Sequence, residues 1–342
     1  MPFPRLIRLR LVRLVETSTC TVAPLARQVL SDYSQQMDRR QINSVRRFNR
    51  EVTRRLGVLS DSFLGRGRAL SEARLLYETG TRGAEVRHLR TRLDLDSGYL
   101  SRLLRSLERQ GLVRRTQARD DARATSVRLT QKGQSELKTL NRLSDRYAAS
   151  VLGPLSQDQR ERLVASMEQV ERLMRAAAVQ IAPADPRSPG ARASLKAYFR
   201  ELEDRFEHGF DERKTISADP DELTPPRGYL LLATLDGAAI GCGALKVKDR
   251  RIGEVKRMWV APEARGLKIG ERLLAALETC ARNAGLRTLR LETNRALKEA
   301  QQLYRRSGYR EVAPFNTEPY AHHWFEKHLG PRPRKPTSPH RR

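Results

Sequence analysis

VAPEARGLKIGERLL, residues 260–274, decides how the second half of the chain is read. An extended Val260 runs into a turn holding Pro262 and Gly266, and from Ile269 the apolar residues recur at helical spacing through Leu273 and Leu274. A strand ending in a glycine turn that opens a helix exposes unpaired backbone N–H groups at the positive end of the helix dipole. That geometry suits a pyrophosphate. The hexapeptide RGLKIG is a weak signal by itself, because helix starts with Arg and Gly are common.

The surrounding pattern builds a sheet. YLLLATLDGAAIGCGALKV (229–247) reads as two strands joined at Asp236 and Gly237, a strong hairpin-turn pair. EVKRMWV (254–260) is the next strand, LRTLRLETN (286–294) another, and ALKEAQQLYRRSG (296–308) a helix. YREV and YAHHWFEKHL close the series as terminal strands. Upstream, Val179 to Ala182 starts a first strand and SLKAYFRELEDRFEHGF a helix, so residues 177–330 read as an α/β domain with a mixed, splayed sheet.

The first half is helical. Apolar Ile42, Val45, Val52, Leu56 and Leu59 follow a helical period after Met37, and SEARLLYET starts a second helix behind Ser71 as N-cap. AEVRHLR is a third. LDLDSGYLSRLLRSLERQGLV (93–113) starts at Asp96 and Ser97, carries Leu100, Leu103, Leu104 and Leu107 on one stripe, and stops at Gly111. With that stripe buried, Ser97, Gly98, Tyr99, Ser101, Arg102, Arg105 and Arg109 lie on or beside the outer face. Small polar residues at the helix start with Arg behind them suit base edges and phosphates in a major groove. Leu112–Arg115 and Thr125–Leu129 then read as a hairpin whose tip carries Arg119 and Arg123 toward a minor groove.

Composition fits a polyanionic partner. The 342 residues suit two domains, and the net charge is +26, of which 30 basic against 17 acidic residues in 37–176 supply half. A generally Arg-rich proteome is the competing explanation. Three cysteines, Cys20, Cys242 and Cys280, show no metal spacing, which points to a reducing cytoplasm and no zinc site. No run of 18 apolar residues exists, so a membrane-spanning helix is not expected. Residues 1–36, with PRLIRLRLVRLV, read as an over-long start or a disordered basic extension, and PRPRKPTSPHRR (331–342) as a disordered basic tail.

Two resemblances follow from these motifs. Over 37–176, SGYLSRLLRSLERQGLV, the wing DDAR and the exit RLTQKG resemble the MarR family of winged helix-turn-helix regulators. That likeness implies a homodimer held by helices near 38–56 and 135–175, and a double-stranded DNA operator as partner. Over 177–330, GEVKRMWVAPEARGLKIGERLL, LETN and EAQQLYRRSGY, in this order, resemble the GNAT superfamily of N-acetyltransferases. This implies acetyl-CoA in a cleft between the strands ending at Val260 and Thr293, with Met258 and Val260 on the pantetheine. Arg265, Gly266, Leu267, Lys268, Ile269 and Gly270 then take the pyrophosphate. Lys268 stands where the family pattern has Gly. In ordinary helical conformation it keeps its N–H available and lends its ammonium to a phosphate; the adverse alternative is that its Cβ crowds the turn.

Acetyl transfer needs a neutral amine, a polarised carbonyl and a proton for the leaving thiolate. No covalent intermediate is required, so Cys242 and Cys280 read as core residues. The GNAT likeness implies Tyr304 as the group that protonates or orients the sulfur and Val260 N–H as the contact to the thioester oxygen. It assigns Asn294 an amide contact to cofactor or substrate, and Glu254 the role of general base, direct or through water. A plain solubilising charge is the bland reading of Glu254, and Glu292 is the second candidate base. RELEDRFEHGFDERK and FNTEPYAHHWF select the acceptor, with Arg205, His208 and His323 as candidate contacts to a carboxylate. Together these features point to a regulator and an acetyltransferase acting on a small-molecule amine. A non-catalytic acetyl-CoA or metabolite sensor, and an acetyltransferase whose helical domain only dimerises, are the alternatives.

Overall fold

The structure is a computed structural model that describes residues 38–57, 62–117, 125–216 and 218–330. The readings placed on residues 1–36, on Arg119 and Arg123 and on the tail from 331 lie outside the described residues. Two compact units emerge, one within 1–84, 101–118 and 126–146, the other within 85–100, 119–125 and 147–342. Among the described residues, no helix is long and apolar enough to cross a membrane.

Helix α1, Arg39–Arg55, is capped by Asp38, whose side chain accepts from Arg40 N. Helix α2 spans Leu70–Thr79. Its cap is Ala69 rather than Ser71, because Glu72 N and Ala73 N both donate to Ala69 O and leave Ser71 inside the first turn. Ala84–Glu85 is extended as β1, so the next helix, α3, starts two residues later than its sequence suggests, at Val86–Arg92. Helix α4, Ser97–Arg109, opens at Asp96, whose carboxylate accepts from Tyr99 N at 2.8 Å. Leu100, Leu103, Leu104 and Leu107 are all buried, as their spacing requires. Strands β2 (Val113–Gln117) and β3 (Thr125–Leu129) follow, in a three-stranded sheet of order β1-β3-β2. Helix α5, Gln131–Leu152, passes so close to this hairpin that a Cβ on Gly133 would lie 1.9 Å from Leu112 O. The glycine of RLTQKG is therefore a packing requirement. Helix α6, Gln157–Ala178, carries a capping box between Ser156 and Gln159.

The second unit is a seven-stranded mixed sheet. After β4 (Gln180–Pro183) and α7 (Pro189–Arg205) come β5 (Gly228–Leu235), β6 (Ala238–Val247) and β7 (Ile252–Val260). Helix α8 (Ile269–Asn283), β8 (Thr288–Thr293), α9 (Lys298–Arg306), β9 (Arg310–Val312) and β10 (His323–His328) complete it. The order is β4-β5-β6-β7-β8-β10-β9. YLLLATL is a continuous apolar run because β5 is buried on both faces. Leu231, Ala233 and Leu235 join a core with Leu273, Leu277 and Phe325, while Leu230 and Leu232 pack with Ala191 and Leu223.

Two features position the site. Parallel pairing of β7 with β8 covers only Ile252, Gly253 and Glu254 against Thr288, Leu289 and Arg290; β8 instead pairs along its whole length with β10. The two strands therefore part beyond Glu254. On its other side β7 bulges: Lys256 faces Ala244 and Trp259 faces Cys242, so Arg257 and Met258 share one partner position at Gly243. Arg257 sits at φ 57°, and a Cβ on Gly243 would lie 2.7 Å from Met258 Sδ.

Candidate active site and candidate nucleic-acid interface

The turn before α8 is a run of free donors. Among the described residues, the backbone N–H groups of six consecutive residues, Gly266 to Glu271, have no acceptor, and the first helical bond is Arg272 N to Lys268 O at 3.1 Å. Gly266 (φ 80°) and Lys268 (φ 55°, ψ 25°) are left-handed, while the side chains of Leu267 and Ile269 are buried. Alternating handedness of this kind turns successive N–H groups into one concavity, suited to an anion. Lys268 is thus not in the ordinary helical conformation that the sequence suggests. The chain must reverse twice between Arg265 and α8 while sending Leu267 and Ile269 into the core, and the second reversal falls on Lys268. A glycine there meets no Cβ penalty.

Arg265 braces this turn from behind. Its Nη2 holds both oxygens of Glu201 on α7, at 2.7 and 2.6 Å, and its Nε donates to Val260 O at 3.2 Å. Trp259 Nε1 also donates to Glu201, at 2.8 Å. Ala261 N donates to Ile240 O on β6, so backbone alternation turns the N–H and C=O of Val260 away from β6, where the C=O is taken by Arg265 and the N–H is left over.

A cleft of about 700 Å³, counted with its open mouth, occupies this gap. Met258, Asn294 and Tyr304 line it, together with Lys256, Arg257, Glu292 and Glu318. Tyr304 is buried, its hydroxyl has no hydrogen-bond partner among the described residues, and burial holds its ionisation well above the ordinary tyrosine range. Such a hydroxyl stays protonated and available to donate. Asn294 is less available: its Nδ2 donates to Tyr320 O at 2.8 Å and its Oδ1 accepts from Ala296 N at 2.9 Å. Glu254 is buried with one oxygen lacking a hydrogen-bond partner, but it is not among the residues lining the cleft. Lys256 connects it to the cleft, lying 3.7 Å from Glu254 and pairing directly with Glu292. Glu292, the second candidate base, is paired with Lys256, and its neighbour Arg290 with Glu326.

The two segments expected to select the acceptor line the cleft, but with residues other than those singled out. Arg205 is committed to Glu299 and Ala296 O, His323 to Glu311, and His208 is exposed. Instead Phe206, Phe210 and Tyr320 pack at ring separations of 4.8–5.8 Å. Tyr198 stands beside them with its hydroxyl pushed up to about 12 by burial. The i, i+4 spacing of Phe206 and Phe210 could have signalled this wall. Nothing local marks Tyr320 or Glu318, which arrive through the return of the chain. Glu318 is buried and accepts from Thr215 Oγ1 and Ile216 N, both at 2.8 Å.

On α4, Ser97, Gly98, Ser101, Arg102, Arg105 and Arg109 are exposed and Tyr99 is half-buried, so the helix presents the face its pattern describes. Arg105 leans back to Ser101 O through Nε at 3.3 Å, leaving its terminal nitrogens outward.

Residues 195–309 match the model of the acetyltransferase (GNAT) family, and residues 66–124 match that of the MarR family. An IAA acetyltransferase of Azospirillum brasilense is 43% identical over 98 residues, 28% of this chain and 64% of that protein. The HTH-type transcriptional regulator SarZ of Staphylococcus haemolyticus is 35% identical over 85 residues, 25% of this chain and 56% of that protein. The chain thus spans under two thirds of the length of each of these relatives. A solved GNAT-family acetyltransferase from Staphylococcus aureus aligns at 19% identity with a TM-score of 0.36, over 45% of this chain and 100% of that one.

Lys268→Gly removes the left-handed penalty of a side-chain-bearing residue, about 1–2 kcal/mol. The urea midpoint for unfolding of the α/β unit should rise accordingly; an unchanged or lower midpoint would contradict the assigned backbone conformation.

Proposed function

From a chain that joins a region of the MarR family to a domain of the acetyltransferase (GNAT) family, we propose a DNA-binding regulator and an acetyl-CoA-dependent N-acetyltransferase in one polypeptide. The observation that carries the enzymatic half is the run of six unpartnered N–H groups at the mouth of a gap between two strands. Bound acetyl-CoA supplies the activated acetyl group. Gly266 to Glu271 hold the pyrophosphate, and the open edge of β7 at Met258 and Val260 orients the pantetheine as an added strand, with Val260 N–H on the thioester oxygen. The acceptor's nitrogen bonds to the acetyl carbon as the carbon–sulfur bond breaks. One proton leaves the amine and one reaches the thiolate.

Glu292 is placed to take the amine proton in the cleft, with Glu254 behind it across Lys256 as the second carboxylate. Tyr304, neutral and unpartnered, gives the proton to sulfur. Asn294 acts by fixing the loop that carries Tyr320. The acceptor is a small-molecule amine. Residues 37–176 and 177–330 are the two functional domains. Ser97, Gly98, Tyr99, Ser101, Arg102 and Arg105 face an operator. A homodimer is supported by apolar residues left exposed on α1 (Ile42, Val45, Phe48) and α6 (Val164, Met167, Val170, Leu173, Met174). The free thiols of Cys242 and Cys280 suit a cytoplasmic location.

A sensor that binds acetyl-CoA without turnover is favoured by one observation, the strained Lys268 where glycine would be unstrained. Turnover separates the two. Tyr304→Phe should lower kcat about 10²-fold, measured by CoA thiol release, with acetyl-CoA affinity unchanged. Wild-type turnover that survives this change intact would remove Tyr304 from the chemistry, and an inactive wild type would favour the sensor. On the DNA side, Arg105→Ala should weaken operator binding and reduce its salt slope by about one phosphate contact. Unchanged binding would refute the placement of α4 and leave dimerisation as the helical domain's role.

A further inference from the structure

Two cations line the cleft among the described residues, and they differ in one respect. Lys256 is neutralised by Glu292 and lies near Glu254. Arg257 also lines the cleft; its backbone oxygen accepts from Cys242 Sγ at 3.3 Å, but its guanidinium has no hydrogen bond and no carboxylate within ion-pair distance among the described residues. Its neighbours are ring faces: Cζ lies 4.5 Å from the centre of Phe199 and 5.9 Å from that of Tyr198. Other arginines near the cleft are spent, Arg205 and Arg265 on Glu201, Arg290 on Glu326 and Arg295 on Glu207. A guanidinium stacked on an aromatic face keeps its in-plane donors free for two oxygens of a carboxylate or phosphonate.

The backbone is arranged to put this group there. Arg257 occupies the bulge of β7 at φ 57°, a conformation that costs a side-chain-bearing residue energy and that is concentrated at functional sites. The bulge breaks the alternation of β7 three residues beyond Glu254, where its pairing with β8 ends. The cleft opposite is walled by Phe206, Phe210 and Tyr320, a surface for a flat apolar body. One residue before Arg257, Lys256 holds Glu292, the carboxylate assigned to the amine. An anion site, an aromatic wall and a proton acceptor thus share one cleft.

We infer that the acceptor is an aliphatic amine that carries an aromatic ring and an oxyanion, a carboxylate or phosphonate, with Arg257 binding the oxyanion and Phe206, Phe210 and Tyr320 the ring. This rests on the acetyl-transfer reading above and names its substrate class.

The test uses matched acceptors with the full-length protein and acetyl-CoA: phenylalanine, its phosphonate analogue 1-amino-2-phenylethylphosphonate, and phenethylamine, which lacks the anion. The wild type should show kcat/KM at least tenfold higher for one or both acid-bearing amines than for phenethylamine, and which one distinguishes carboxylate from phosphonate. Arg257→Gln should bring that ratio close to one, through KM rather than kcat, and Arg257→Lys should restore part of it. Equal or better use of phenethylamine by the wild type overturns the inference without any variant, and a folded Arg257→Gln that keeps the preference removes Arg257 from it. If no acceptor turns over, calorimetry on the protein–CoA complex decides. Tenfold tighter binding of an acid-bearing amine, lost in Arg257→Gln, sustains the anion site while the transfer reading falls; no binding of any of the three defeats the inference.

Discussion

Hydrogen bonding between β7 and β8 stops at Glu254 and Arg290, and the rest of the second unit is organised around that divergence. Strand β8 is held along its length by β10, so it cannot follow β7, and β7 is bent away by a bulge that needs Gly243 opposite it. An open strand edge in a protein interior is costly unless something pairs with it. Here the edge leads directly into the turn at Gly266 to Glu271, whose donors are equally unpaired. A single extended ligand with a polar strand-like arm and an anionic end would satisfy both.

Charge is distributed with the same economy. The chain carries a net +26, yet the arginines around the cleft are largely paired, and Glu201 alone receives Arg205, Arg265 and the Trp259 indole. That hub ties α7, β7 and the turn before α8 into one rigid frame. Because these cations are neutralised locally, the exceptions carry information: the N–H run, which is uncharged but polar, and Arg257.

Much of this was legible in the sequence. Alternation and turn chemistry located the β5–β6 hairpin at Asp236–Gly237, and the leucine spacing of α4 identified its buried and outer faces, because both depend on neighbours in the chain. The cap of α2 and the start of α3 were misplaced by a few residues, since backbone hydrogen bonding and strand pairing override side-chain preference there. Lys268 was expected in a helical conformation, because a one-letter pattern gives residue type and not handedness. The two segments expected to select the acceptor do line the cleft, through residues other than those singled out. Arg205 and His323 looked available until the partners Glu299 and Glu311 were brought in by tertiary folding, while Arg257 owes its place in the cleft to a bulge that no local pattern announces.

Isothermal titration of the full-length protein with acetyl-CoA is the most direct test of the paired edge and turn, with pantetheine, which lacks the pyrophosphate, alongside. One site per chain with a dissociation constant on the order of micromolar, and pantetheine weaker by roughly a hundredfold, is the expected result. No heat at millimolar acetyl-CoA, or equal affinity for pantetheine, would contradict the assignment of Gly266 to Glu271 as the anion cradle.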